Sequence, residues 1–156
     1  MDPMQLSRFA ILMLGTSLAS GCGMFDSKPA PIPVTLTAAG DINPDASARP
    51  SPIRVRVYQL RSASAFQQSD YFALTDGKSD ALGDTVVGSE EVMLSPGSTR
   101  TLSTPIDEGA RYIGVVAGFR DIDRSQWRSV RQIDPGGVEA VDVSVAAHGV
   151  SVAVNQ

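Results

Sequence analysis

The amino-acid sequence predicts a mainly β fold, a sandwich of packed sheets, and three observations support this prediction. Apolar and polar residues alternate with a period of two over several short segments, which is the pattern of strands with one buried and one solvated face. Sequences rich in Gly, Pro and Asp separate these segments and fit turns. The pattern gives about eight short strands, and strands at such spacing are typical of a sandwich.

The N-terminal residues 1–21 are expected to lie outside this fold as a lipoprotein signal peptide. After Arg8 comes an apolar run, residues 9–14, which is too short to span about 30 Å of hydrocarbon but suits the core of a signal peptide. Asp2 weakens the positive end of the signal. Initiation at Met4 instead of Met1 would remove Asp2, and the sequence leaves both starts open.

The only Cys of the chain follows this segment and is the predicted lipidation site. The run Ala19-Ser20-Gly21-Cys22 resembles the lipobox at which bacterial lipoprotein precursors are cleaved and acylated on the Cys. Acylation of Cys22 is favoured over the alternative, an incidental residue after an ordinary signal. The resemblance also implies that Gly23, which is not Asp, permits sorting to the outer membrane. Residues 22–33, with three Pro, are interpreted as the lipidated Cys and a flexible tether.

Residues 34–156 form the predicted sandwich domain, and a long loop separates its first two strands. Residues 34–38 are a weak strand, whereas Ile53, Val55 and Val57 alternate with polar or aromatic neighbours and predict a clear one. A thirteen-residue connection this rich in Pro is either a mere linker or a preorganised functional loop, and we favour the loop. Its residues are Gly40, Asp41, Ile42, Asn43, Pro44, Asp45, Ala46, Ser47, Ala48, Arg49, Pro50, Ser51 and Pro52.

This loop is expected to bind a partner without supporting the fold. Polar side chains at positions 43, 45, 47 and 49 would supply hydrogen bonds, and Ile42 would supply an apolar contact. Because the loop lies outside the alternating strands, shortening it to a few Gly and Ser is expected to leave the sandwich folded.

Residues 62–88 interrupt the β pattern and predict a helical insertion. Apolar residues alternate there with Asp in a way that suits two short helices. The aromatic group of Phe66, Tyr71, Phe72 and Trp127 is interpreted as core packing.

The remaining strands lie in the second half of the chain. In residues 112–119 the odd positions are apolar, and the even positions are Tyr, Gly or Val. This predicts a strand with both faces covered or one face closely approached. Valines mark two more strands at 141–145 and 150–154, joined by a hairpin turn at His148-Gly149. Weaker strands are predicted at 91–94, 100–106 and 127–133.

Composition excludes several classes of function. The 156 residues carry 13 Lys and Arg against 17 Asp and Glu, for a net charge of −4, so a nucleic-acid partner is not expected. One Cys and one His allow neither an internal disulfide nor a His-rich metal site. We therefore expect no metal and no cofactor.

No catalytic constellation is found in the sequence. Residues 41–45 open like a calcium loop, but Ala46 replaces the required Gly and Pro52 the bidentate Glu. His148 lacks a nucleophile motif and is interpreted as a turn residue. Residues 121–123 offer two carboxylates, but neighbouring Arg favour an ion-paired loop. The sequence predicts no enzyme.

Several ordered motifs together carry a family resemblance. They are Ile42-Asn43-Pro44-Asp45, Arg49-Pro50-Ser51-Pro52, Ile53–Leu60, Phe66, Asp70–Leu74, Ser95-Pro96-Gly97, Tyr112–Arg120 and Trp127-Arg128. This set resembles the outer-membrane lipoprotein of the bacterial type VI secretion system, the TssJ family, also called SciN or VasD. The resemblance covers nearly all of residues 34–133. The chain departs from the family at Ala48, where a Gly is often seen, which bears on loop flexibility.

The resemblance implies a fold, a location and a partner. The fold is a transthyretin-like sandwich of two four-stranded sheets with a small helical insertion, held by acyl chains at the periplasmic face of the outer membrane. The partner is the periplasmic C-terminal part of TssM, which in turn binds TssL. In that family the loop between the first two strands makes the TssM contact, and here it corresponds to Gly40–Pro52. Two alternatives stay open: a periplasmic transthyretin-like lipoprotein that binds a small ligand, and an enzyme acting on the cell wall.

Overall fold

The computed structural model describes residues 30–76 and 81–156. The predicted signal peptide, Cys22 and most of the predicted tether lie outside the described residues. Within the described ranges, no helix is long and apolar enough to cross a membrane.

Eight strands and two short helices make up the described part of the chain. In chain order they are β1 (Pro31–Ala38), β2 (Ile53–Leu60), α1 (Ser64–Gln68), α2 (Tyr71–Thr75), β3 (Val86–Leu94), β4 (Thr99–Pro105), β5 (Tyr112–Ala117), β6 (Arg128–Gln132), β7 (Ala140–Ala146) and β8 (Gly149–Asn155), with a 3₁₀ turn at Gly83–Thr85 before β3. They form two four-stranded sheets, ordered β4-β1-β7-β8 and β3-β2-β5-β6. The β1–β7 pair is parallel, and every other pair is antiparallel. The predicted sandwich with a helical insertion is confirmed.

The main core lies between the two sheets and follows the predicted alternation. On β2 and β5 the odd-numbered side chains are buried in it, while Arg54 is exposed. Valines at alternate positions of β7 and β8 fill the opposite side. Branched side chains at alternate positions suit a pleated, half-buried surface. The same residues therefore favour the strands and form the core.

A second, smaller core covers the outer face of the β3-β2-β5-β6 sheet. The helical insertion packs Phe66 and Leu74 there against Leu60 and Val116. Gly114 is what allows the approach, because an added Cβ would lie 2.9 Å from Phe66 Cζ and 3.0 Å from Leu60 Cδ1. The prediction that β5 is covered or closely approached on both faces is confirmed.

Apart from shifts of one or two residues at other strand ends, three features differ from the sequence prediction. β1 begins at Pro31, three residues early, because residues 31–33 pair with β4 alone and pairing with β7 starts at Val34; Pro is tolerated where a strand has one neighbour. β3 begins at Val86, not at 91, so the insertion ends at 85. The hairpin turn is formed by residues 147 and 148, since Ala146 already pairs with Gly149.

Candidate binding loop

The base of the loop between β1 and β2 is part of the folded core. Ile42 has 0% exposure and belongs to the main core cluster. Asn43 is also buried, and its backbone N–H donates to the Ala147 carbonyl oxygen at 3.2 Å. The Ser51 N–H donates to the Ile42 carbonyl oxygen at 3.0 Å and closes the base.

The side chain of Asn43 ties three segments together. Its Nδ2 donates to the Pro52 carbonyl oxygen at 3.1 Å, and its Oδ1 accepts from the Arg120 backbone N–H at 2.9 Å. The backbone of Asn43 has φ of +47°, which Asn tolerates better than most residues. The loop base and the segment after β5 are therefore held in one fixed arrangement.

The tip of the loop, residues 44–50, is organised by one carboxylate. Asp45 accepts hydrogen bonds from the backbone N–H groups of Ser47 (2.8 Å) and Arg49 (3.0 Å) and from Arg49 Nε (2.8 Å). In the backbone, Asp45 N–H donates to the Arg49 carbonyl at 2.9 Å, and Ala48 N–H donates to the Asp45 carbonyl at 2.9 Å. Ala48 adopts φ of +60°, which for Ala costs roughly 1–2 kcal/mol that Gly would not lose.

Charge reinforces this geometry. Hydrogen bonds from the Arg49 backbone N–H and then from its guanidinium hold the pKa of Asp45 below its ordinary value, because donors to the charged form stabilise it. The carboxylate is therefore ionised at neutral pH and keeps its three bonds. The tip presents Ala46, Ser47 and Ala48 to solvent as a small-residue ridge on a braced backbone.

The predicted loop residues differ in burial, and Pro44 and Asp45 lie between the exposed and the buried ones. Residues 46–50 are exposed, as are Gly40, Asp41 and Pro52, whereas Ile42, Asn43 and Ser51 are buried. The expectation that Ile42 offers an apolar contact to a partner is wrong, because its side chain is fully buried in the main core. Because Ile42 packs in the core, we expect that shortening the whole loop destabilises the fold, which revises the expectation that the sandwich is unaffected.

Sequence reasoning missed the residues that line a groove beside the tip. This open groove of about 610 Å³ lies between residues 44–48 of the loop and Arg120, Asp121, Arg124 and His148. Arg124 Nε is 3.9 Å from Asp121 Oδ2, a weak surface ion pair. The hydrogen bond that the Arg120 N–H donates to Asn43 Oδ1 brings the two segments together, and no local sequence signal indicates it.

The described ranges 30–76 and 81–156 offer neither a metal site nor, in the void between the sheets, room for a ligand. No group of three or more His, Cys, Asp or Glu side chains there could hold a metal ion. Between the sheets the packing leaves a void of about 10 Å³, the lower limit for one water molecule. The arrangement offers a rigid exposed surface for recognition.

Comparison with known proteins adds a family match. A family model described as Type VI secretion lipoprotein, covering VasD, EvfM and TssJ, matches residues 30–149. A comparison with curated proteins finds no match.

Solved structures show the same similarity. The chain is 34% identical to the T6SS lipoprotein TssJ1 from Pseudomonas aeruginosa, with a TM-score of 0.75 over 82% of this chain and 98% of that one. It is 27% identical to a chain of a type VI membrane complex (TM-score 0.70, 80% and 98% covered). It is also 26% identical to a chain in the structure of the T6SS protein TssM C-terminal domain from EAEC (TM-score 0.66, 80% and 98% covered).

Proposed function

The chain belongs to the type VI secretion lipoprotein family of TssJ, SciN and VasD, and from this membership we propose that it anchors the secretion complex to the outer membrane by binding TssM. Members of this family are structural lipoproteins of the type VI membrane complex, not enzymes. The proposed contact joins the loop tip, residues 44–50, to the periplasmic C-terminal part of TssM, which in turn binds TssL.

The observation that carries this proposal is the braced conformation of the tip. Asp45 fixes the backbone at Ser47 and Arg49, and Asn43 fixes the base. A segment that is already ordered loses less conformational entropy when it docks, so more of the contact free energy remains as affinity. The exposed small side chains of the tip also suit insertion into a groove of a partner.

The course of β1 supports the proposed orientation. β1 begins at Pro31 at one end of the sandwich, and the loop leaves at its other end, after Ala38. Eight extended residues span roughly 26 Å. If Cys22 is acylated, as we propose, the membrane lies at the entry end and the loop tip at the end that faces the periplasm.

The alternative of a small-ligand carrier has no supporting observation in the described residues. Such a carrier needs a concave site of some hundreds of Å³ that encloses its ligand. The void described above between the two sheets holds about 10 Å³, and the groove of about 610 Å³ beside the loop tip is open to solvent.

A calorimetric titration tests the proposal. The full chain in mild detergent is titrated with the C-terminal periplasmic domain of the cognate TssM. Ser47→Trp places a bulky side chain on the exposed tip, and Ser151→Trp places the same side chain on the exposed face of β8 as a matched control. We expect Ser47→Trp to weaken binding by about fivefold or more and Ser151→Trp to bind as wild type. Equal affinity of all three proteins would place the contact elsewhere.

A further inference from the structure

The two large apolar side chains most exposed in the described residues line one groove. Phe72 is 61% exposed and Met93 is 54% exposed. Both border an open groove of about 420 Å³ on the outer face of the β3-β2-β5-β6 sheet, next to α2. Isolated exposed apolar residues need no explanation, but two such residues in one concavity mark a candidate interaction surface.

The exposure of Phe72 follows from how α2 is seated. Leu74 is fully buried in the second core, and Tyr71 Oη donates to the Phe119 carbonyl oxygen at 3.0 Å while its ring packs edge-on against Trp127. These contacts fix the buried side of the helix and leave Phe72 on the open side. Met93 lies opposite Arg54 in the β2–β3 register, on the same outer face.

The groove carries a small excess of positive charge, because three Arg side chains line it against the two carboxylates of Asp76 and Glu91. Arg56 donates hydrogen bonds to the Glu91 carboxylate, and the half-exposed Arg54 forms only a weak surface ion pair with it, at 3.8 Å. Arg120 is exposed and has no carboxylate within ion-pair distance among the residues that the structure describes. Since the chain carries a net charge of −4, this positive surface is a local feature. It complements a segment that carries carboxylates beside an apolar side chain.

The groove is continuous with the loop. Asn43 and Pro52 from the loop base line its near end, and Arg120 lines both this groove and the one beside the loop tip. A single partner that contacts the tip therefore reaches Arg54 and Phe72 without crossing a gap of unrelated surface.

We propose that the groove at Phe72, Met93 and Arg54 is a second docking surface for the partner domain that the loop binds, and that it receives an acidic segment bearing an apolar side chain. This inference rests on the proposed function for the identity of the partner. The apolar side chain of the segment covers Phe72 and Met93, and its carboxylates pair with Arg54 and Arg120. Two separated contacts on one rigid domain would fix the orientation of the partner as well as its affinity.

The test is a titration of the full chain, in mild detergent, with the cognate TssM periplasmic domain. Arg54→Glu reverses the half-exposed charge, and Arg54→Gln removes it. The double variant Phe72→Gln, Met93→Gln removes the apolar pair at exposed positions. Arg100→Glu, an exposed Arg on β4 of the other sheet, is the matched charge control, and thermal melts check that each variant is folded.

The expected results are specific to the groove. Arg54→Glu and the double variant should each weaken binding by about fivefold or more, while Arg100→Glu stays within about twofold of wild type. Added salt should weaken the wild type more than Arg54→Gln, because complementary charges are screened.

The loop variant Ser47→Trp, measured in parallel, separates this inference from the proposed function. Loss of binding in the groove variants supports the inference whether or not Ser47→Trp also loses binding; if Ser47→Trp retains it, the loop contact alone is wrong. Wild-type affinity in the groove variants together with a loss in Ser47→Trp overturns the inference and leaves the loop contact standing. A wild-type protein that does not bind the domain overturns both. If the double variant sediments differently from wild type because the groove mediates self-association, the inference is also contradicted.

Discussion

At the scale of single residues, Asp45 and Asn43 determine the shape of the candidate binding loop. Asp45 closes the tip through the backbone of Ser47 and the backbone and side chain of Arg49. Asn43 closes the base by bonding to Pro52 and to the Arg120 backbone. The sequence indicates polar, Pro-rich loop chemistry, but it does not indicate which side chains bond within the loop and which remain for a partner.

We predict that Asp45 titrates at a lower pH than an Asp in unfolded chain. Hydrogen bonds from Arg49 and Ser47 lower its folded-state pKa, so the carboxylate favours the braced tip above the unfolded pKa, about 3.9. That contribution is lost as the pH falls through the lowered folded-state pKa. NMR titration of the side-chain carboxyl carbon measures this directly. A midpoint at or above the unfolded value would show that the brace does not form, and Asp45→Asn should free the tip at all pH values.

Gly114 gives a second prediction at this scale. Gly114→Ala places a Cβ within 3.0 Å of both Phe66 and Leu60, so the second core must shift. We expect a loss of about 1–3 kcal/mol in the free energy of unfolding, typical of overpacking. Gly40→Ala is the matched control, since nothing lies within 4 Å of its added Cβ. Urea denaturation of both variants is the measurement, and equal stability would contradict the close approach of Phe66 to β5.

At the scale of elements, predictability followed the regularity of the side-chain pattern. β2, β5, β7 and β8 were predicted because Val and Ile recur at every second position and the face that they form packs in the main core. The starts of β1 and β3 were missed because Pro31, Pro33 and the stretch from Gly88 to Glu90 look like loop in isolation. These residues are strands because they pair with strands that are distant in the sequence. The burial of Ile42 was missed because a single apolar residue in a loop cannot show the alternation that identifies a buried face.

The division of the loop into base and tip predicts two different outcomes of mutation. Ile42→Ala should cost about 2–5 kcal/mol of unfolding free energy, because a fully buried side chain is truncated. Ser47→Ala, at an exposed tip position, should change it by less than about 0.5 kcal/mol. Chemical denaturation followed by circular dichroism makes the comparison. Similar stabilities for both variants would mean that the loop base does not belong to the core.

At the scale of the whole molecule, the sandwich separates a proposed membrane end from a proposed binding end. β1 runs the length of the sheet between the two. The family resemblance predicted the fold class, and the family match and the described residues confirm it. The outer groove with Phe72 and Met93 was not predicted. The sequence analysis assigned all four aromatic residues to the core, and nothing in the sequence indicates that Phe72 is exposed.

Lipidation is a property of the whole molecule, and Cys22 is its predicted site. One acyl chain holds a protein only marginally at a bilayer, at about 0.8 kcal/mol per buried CH₂, whereas two or more chains anchor it stably. Cys22→Ser should therefore release the protein from the outer-membrane fraction and abolish secretion. Palmitate labelling with membrane fractionation is the measurement. Label on Cys22→Ser, or its retention in the outer membrane, would disprove the assignment.

The central claim, that the loop tip contacts TssM, is tested most directly by cross-linking in the assembled envelope complex. A photo-reactive amino acid replaces Ser47 at the exposed tip or, as control, Ser151 on the exposed face of β8. The account predicts a covalent adduct with TssM from position 47 and none from position 151. An adduct from position 151 without one from position 47, in cells where the complex assembles, would contradict it.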